Sequence, residues 1–253
     1  MTTDTILETC ELSKEFRGFV AVNRVNLRVQ RGSIHALIGP NGAGKTTVFN
    51  LLTKFHIPTA GRILFNGVDI THEKPAQTAR RGIVRSFQIS AVFPQFTALE
   101  NVKIALQRKL GVDYHFWRSG TALHRLDAPA LALLEQVGLQ DYASALAGDL
   151  PYGRKRTLEI ATTLALDPEM LLLDEPTQGM GHEDVDRIKA LIKKVAAHRT
   201  ILMVEHNMGV VADISDTITV LQRGEVLAEG PYREVATNPA VQEAYMGTEE
   251  EHA

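Results

Sequence analysis

Gly39-Pro40-Asn41-Gly42-Ala43-Gly44-Lys45-Thr46-Thr47 is the stretch on which the reading of this chain turns. It satisfies G-x-x-x-x-G-K-[ST], with Gly39, Gly44, Lys45 and Thr46 in the fixed positions. Glycines let the backbone curl until successive N–H groups converge on β- and γ-phosphates. Lys45 adds a positive charge, and the Thr46 hydroxyl suits Mg²⁺. The flanks agree. Ile34-His35-Ala36-Leu37-Ile38 reads as a buried parallel strand. Val48, Leu51, Leu52 and Phe55 recur at helical spacing, so a helix opens at Thr46 with its N-terminus toward an anion. Strand, glycine loop and helix together predict binding of a nucleoside triphosphate.

Composition narrows the rest. The 253 residues are 44% hydrophobic and 23% charged, as in an ordinary globular protein, and the net charge of −3 disfavours a general nucleic-acid binder. Cys10 is the only cysteine, so there is no intrachain disulfide and no cysteine metal cluster. The start, MTTDTILETC, lacks the basic and apolar parts of a secretory signal, and no run of eighteen apolar residues occurs. Work at a membrane would therefore need other chains to hold this one there.

Along the chain, strands are expected at 6–9, 19–22 and 25–29, with a hairpin over 62–70 bending at Asn66-Gly67. A helix follows at 73–81 and a strand at 82–87 ending at Gln88. Strand signals then stop, and helices are expected at 98–110, 127–137 and 151–166, with an irregular excursion over 111–120 that holds Trp117. Strands return at 170–173 and 200–204, separated by a helix over 183–197. A hairpin over 218–228 and one helical tail over 231–246 complete the expectation. Phe16 and Phe19 lie in the polar connection between the first strands, where either could stack on a base or pack in the core.

In an open parallel sheet, ligands gather outside the carboxyl ends of the strands. Three expected strands end there in polar groups: Gln88, Asp174-Glu175 and Glu205-His206. Asp174 follows four apolar residues and is placed to bind Mg²⁺; Glu175 is placed to accept a hydrogen bond from an attacking water. His206 could orient that water or touch the γ-phosphate. His182-Glu183 begins like a zinc-protease helix, but position 186 is Asp, so the second imidazole is missing.

These pieces in this order resemble the ATP-binding cassette family, and the resemblance covers nearly the whole chain. It implies an α/β fold: a P-loop NTPase with a RecA-like core, an antiparallel β subdomain and an inserted α-helical subdomain. The expected division is 1–88 for the β subdomain and first part of the core, 89–160 for the helical subdomain, and 161–253 for the remaining core and tail. The family pairs two cassettes, as a homo- or heterodimer, around two ATP molecules. By resemblance Phe16 stacks on adenine, residues 39–47 hold the phosphates, and Thr46, Gln88 and Asp174 meet Mg²⁺. Glu175, His206, Lys45 and Gln88 are the catalytic set. Leu150-Pro151-Tyr152-Gly153-Arg154 is the signature that crosses to the partner's ATP.

Within the family the chain is most similar to ATP-binding subunits of branched-chain amino acid importers. The cues are Arg85-Ser86-Phe87-Gln88, the Pro-Tyr-Gly signature, the long 101–127 insertion and the ending Asn238-Pro239-Ala240-Val241-Gln242-Glu243-Ala244-Tyr245-Met246-Gly247. The resemblance implies transmembrane permease subunits and a substrate-binding protein as partners, no nucleic acid, and a cytoplasmic place on the inner face of the cell membrane. The exposed-looking Phe93, Pro94 and Phe96 near Gln88 are where a membrane subunit is expected to dock. Two departures stand out. Pro151 and Tyr152 replace residues that usually meet the γ-phosphate, and Gly181 stands where the family usually has Asp or Asn. They motivate an alternative, a degenerate ATP-binding regulatory subunit. The ATPase of a lipid or lipopolysaccharide exporter is the rival within transport.

Overall fold

The computed structural model describes residues 4–86, 92–109 and 125–250, without the side chains of 108, 109 and 246–250. In chain order the first elements are β1 (Thr5–Phe16), β2 (Phe19–Val25), β3 (Arg28–Gln30), β4 (Ile34–Ile38), α1 (Lys45–Leu52), β5 (Ala60–Phe65) and β6 (Val68–Asp69). Then come α2 (Pro75–Arg80), β7 (Ile83–Arg85), α3 (Ala98–Lys109), α4 (Asp127–Gln136) and α5 (Tyr152–Leu164). The remainder is β8 (Met170–Asp174), α6 (His182–Ala196), β9 (Thr200–Val204), α7 (Met208–Ile214), β10 (Thr217–Gln222) and β11 (Glu225–Gly230), with α8 (Tyr232–Ala236) and α9 (Pro239–Glu250) last.

Two sheets form. One is antiparallel, ordered β2-β1-β5-β6 with β3 also on β1; the other runs β11-β10-β4-β9-β8-β7 and is parallel except for β11. The four central parallel strands are apolar on both faces because both faces are covered. Alternation along each strand decides which cover a residue meets. Ile34, Ala36, Ile38, Leu171, Leu173, Ile201 and Met203 join one apolar cluster with Val102, Leu134 and Leu158 of the helical segment. Leu37, Met170, Leu172, Leu202 and Val204 join the other, with Phe49 of α1 and with Leu7 and Phe65 of the antiparallel sheet. The mixed α/β architecture expected from sequence is present, with α3, α4 and α5 as the inserted helical segment.

Differences from the sequence reading have local causes. The single strand expected over 25–29 is broken at Asn26 and Leu27, where side chains replace ladder bonds. Asn26 Oδ1 accepts from the Glu11 amide at 2.8 Å, and Thr9 Oγ1 accepts from the Leu27 amide at 2.8 Å. The tail is two helices rather than one, because Pro239 offers no N–H and disfavours helix at Asn238. The Asn238 side chain instead accepts from the Ala240 amide at 3.0 Å. Helix α7, absent from the sequence reading, is too short to show a periodicity and is started by Asn207, whose Oδ1 accepts from the amides of Gly209 and Val210. The excursion around Trp117 lies outside the described residues. Among the described residues no helix is long and apolar enough to cross a membrane.

One core group carries a pH signature. His35 is 1% exposed in the middle of the parallel sheet. Its Nε2 lies 2.7 Å from Thr219 Oγ1, which itself donates to Glu229 Oε2 at 2.6 Å. The hydroxyl has one proton to give, so the imidazole must donate from Nε2. Burial pushes the ring's pKa down to about 4. A lowered histidine pKa favours the neutral ring in the fold. Its contribution is therefore complete above the unfolded value near 6.5 and is lost as pH falls from there toward 4. Urea unfolding should show stability dropping over that window by up to about 3 kcal/mol from this group. His35→Gln, which keeps a donor for Thr219, should flatten that part of the profile.

Candidate active site

The 39–47 loop connects the end of β4 to α1 and passes between β2 and the end of β10. Two of its glycines are compelled by both conformation and crowding. At Gly39 (φ +146) a Cβ would stand 2.1 Å from the Leu221 carbonyl oxygen, and at Gly44 (φ +101) it would stand 2.6 Å from the Ala21 carbonyl oxygen. Gly42 also has a left-handed φ of +78, but nothing lies within 4 Å, so conformation alone selects glycine there. The Gly224 amide donates to the Ala43 carbonyl at 3.0 Å, and the Val48 amide to Gly44 at 2.9 Å, opening α1. Lys45 is buried, its ammonium donating to the carbonyls of Gly39 at 2.6 Å and Pro40 at 2.9 Å. Burial lowers its pKa, while the charges of Glu175 and Asp174 oppose that shift. Thr46 is exposed in the first turn of the helix.

Those carboxylates stand at the end of β8 and one residue beyond it. Asp174 is only 1% exposed, and its Oδ2 accepts from Arg85 Nη2 at 2.5 Å. The other arm of Arg85 donates to Asn50 Oδ1 of α1 at 2.6 Å, so one guanidinium ties β7, β8 and the loop helix together. Glu175 sits at φ +45, a conformation that side-chain-bearing residues seldom adopt. Its amide still donates to Val204 of β9 at 2.9 Å, so the strand pairing holds one step beyond β8 before the chain turns. Glu175 Oε1 lies 3.0 Å from His206 Nε2. Its Oε2 is buried and has no hydrogen-bond partner among the described residues.

His206 owes its position to Glu205. That buried carboxylate accepts from the amides of His206 at 2.8 Å and Asn207 at 3.0 Å through Oε2. Through Oε1 it accepts from the Thr177 amide at 3.0 Å and from the Thr177 hydroxyl. Glu205 therefore clamps the loop after β9 to the loop after β8. Arg156 of α5 makes a third tie, donating to the main-chain carbonyl of Asp174 and pairing with Glu159 at 2.7 Å, both side chains buried. Sequence reading gave no role to Arg156 and read Arg85 only as a family cue. A long cation at the inner edge of an apolar strand or helix was the available signal.

Of the residues singled out from sequence, Lys45, Asp174, Glu175 and His206 come together. Gln88 lies outside the described residues. Phe16 stands at the β1–β2 hairpin, partly exposed, edge-on to His56 at 5.1 Å and beneath Lys14 Nζ at 5.0 Å. In the 150–154 stretch, Leu150 is buried, Pro151 is the N-cap of α5 and Tyr152 is 57% exposed. Gly153 packs so closely on α6 that a Cβ would fall 2.5–2.8 Å from the Asp184 carboxyl group. Arg154 turns away, donating to the Gly138 carbonyl at 3.3 Å and lying over the Tyr142 ring. Gly181 has extended backbone with open space around it, so nothing in the fold demands glycine there.

Residues 22–178 match the family described as ABC transporter, and residues 225–251 match one described as branched-chain amino acid ATP-binding cassette transporter. BraF of Pseudomonas aeruginosa, a high-affinity branched-chain amino acid transport ATP-binding protein, is 41% identical over 249 residues, 96% of this chain and 98% of that one. LivG of Escherichia coli K12, of the same description, is 39% identical over the same shares. Among solved structures, MJ1267, an ATP-binding cassette of an ABC transporter, superposes with a TM-score of 0.87 at 31% identity, covering 96% of this chain and 99% of that one. With a family match across most of its length and full-length relatives near 40% identity, the chain belongs to the ABC transporter family.

Proposed function

We propose that the chain is the ATPase subunit of an importer of branched-chain or related amino acids, cytoplasmic and peripheral on the inner face of the cell membrane. In this reading the loop 39–47 holds the phosphates of ATP and Phe16 stacks on adenine. The observation that carries the chemistry is the Glu175–His206 pair: one carboxylate oxygen is engaged by the imidazole, while the other is buried without a partner among the described residues. A buried orphan acceptor of that kind is costly unless a ligand or water takes it. Glu175 Oε2 receives the proton side of the attacking water, His206 fixes the carboxylate, and Lys45 neutralises charge on the phosphoryl oxygens. The hydroxyl of Thr46 and the carboxylate of Asp174 are hard oxygen donors of the kind Mg²⁺ takes, and with Gln88 they would hold it. When bound, the ion neutralises phosphate charge as a Lewis acid.

The transported class rests on the relatives, above all on the match at 225–251. Assembly follows the same reading. A second cassette presents its 150–154 stretch to this chain's ATP, and permease subunits and a substrate-binding protein complete the importer. Exposed Phe93, Pro94 and Phe96, and separately a mostly apolar cleft of ≈ 410 Å³ that includes Phe55, Ile83, Ile104 and Leu166, offer surface on which a permease segment seats. The division at 1–88, 89–160 and 161–253 belongs to this reading too.

Two measurements test it. Steady-state phosphate release should fall by about 10²–10⁴-fold in Glu175→Gln, with Mg-ATP binding retained, and Lys45→Ala should weaken that binding itself. Co-expressed with its membrane subunits in proteoliposomes, the wild type should drive ATP-dependent leucine uptake that Glu175→Gln abolishes. Membrane partners that move lipid or lipopolysaccharide instead would overturn the substrate class.

A further inference from the structure

Arg85, the last residue of β7, belongs to two places at once. It lines the ≈ 410 Å³ cleft together with Ala76, Ile83, Ile104 and Leu166, yet its side chain is only 10% exposed. The guanidinium reaches the strand end. There Nη2 donates to Asp174 Oδ2 at 2.5 Å and Nη1 to Asn50 Oδ1 at 2.6 Å, with Cζ 5.7 Å from the centre of the Phe49 ring. Its Nε is buried with no hydrogen-bond partner among the described residues, so the fork keeps one donor unused. A second cleft residue approaches the same aspartate. Glu159 lines the cleft and pairs with Arg156 at 2.7 Å, and Arg156 donates to the Asp174 main-chain carbonyl. Arg156 thus holds the backbone of Asp174, and Arg85 holds its carboxylate.

We propose that Arg85 is a positioning residue that governs the availability of Asp174 to a divalent cation, and that whatever fills the cleft acts on the ATP site through it. This deepens, and rests on, the reading of Asp174 as a ligand for Mg²⁺ and of the cleft as a permease seat. A guanidinium and a cation compete for one carboxylate, and each positive charge opposes the other. Two kinds of occupant therefore act in opposite directions. An apolar one expels water from around the guanidinium, strengthens its grip on Asp174 and raises the need for Mg²⁺. One that brings a carboxylate gives the unused Nε–H donor a partner, draws the fork toward the cleft and frees Asp174.

The readout is the Mg²⁺ concentration that half-saturates binding of a non-hydrolysable ATP analogue, followed by calorimetry. Arg85→Met should lower it about three- to tenfold. Arg85→Lys, whose single ammonium cannot hold Asn50 and Asp174 together, should fall between, and it serves where Arg85→Met fails to fold. Because Cys10 is the only cysteine, Cys10→Ala with Ala76→Cys puts one reactive thiol on an exposed position of the cleft. Labelling it with S-ethyl methanethiosulfonate should raise the Mg²⁺ requirement about threefold, and the S-carboxyethyl reagent should lower it, each relative to unlabelled protein. Both effects should vanish when Arg85→Met or Arg85→Lys is added. An Mg²⁺ requirement unmoved by either substitution, or label effects that survive them, would make Arg85 a structural tie and overturn the proposal. If Mg²⁺ fails to strengthen nucleotide binding even in the wild type, the reading of Asp174 falls as well. A normal wild-type response beside indifferent variants removes this inference alone.

Discussion

The in-register parallel pairing of β9 between β4 and β8 is the constraint from which the site follows. Leu37 and Asp174 both pair with Val204, so three strands stop on nearly the same rung. The 39–47 loop leaves from one, Glu175 from the second, and Glu205 with His206 from the third. A slip of one residue in β8 would exchange its two apolar faces and turn the Asp174 carboxylate to the other side of the sheet. The same burial that fixes register therefore also delivers the chemistry, and no separate device is needed to align the strand ends.

Charge at those ends is held in an unusual density of buried ties. Arg85 meets Asp174, Arg156 meets Glu159, and Glu205 takes four donors. Buried ion pairs roughly break even against apolar packing, because desolvation offsets attraction. Their value here lies in geometry. Each fixes a carboxylate or carbonyl within the catalytic neighbourhood that thermal motion of a loop would otherwise blur, and each penalises any rearrangement that separates the partners.

Much of this was legible in the sequence, and the limits have a physical pattern. The loop could be read because its glycines, lysine and threonine are contiguous, and the strand ends because polar residues interrupt short apolar runs. Boundaries of the long amphipathic helices fell within a few residues. What could not be read is partnership across distance. Nothing in the local pattern tells Arg85 from a solvated cation, or shows that Glu205 holds two loops together rather than serving beside His206 in catalysis. Helix α7 offered too few residues for a period, and Asn238-Pro239 split a tail whose apolar spacing runs on through the break. Gly153 looked like part of a phosphate contact, whereas in the fold it also packs against the Asp184 carboxyl group of α6.

The bond from Arg156 to the Asp174 carbonyl gives α5 a pivot. Tyr152, at the exposed tip of that helix, lies four residues away, one turn or roughly 6 Å along the axis. An arm so short, made of rigid helix and fastened to a main-chain atom, has almost no slack. A tilt of the tip arrives as a tug on the peptide that joins Asp174 to Glu175, with only the buried Arg156 side chain in between.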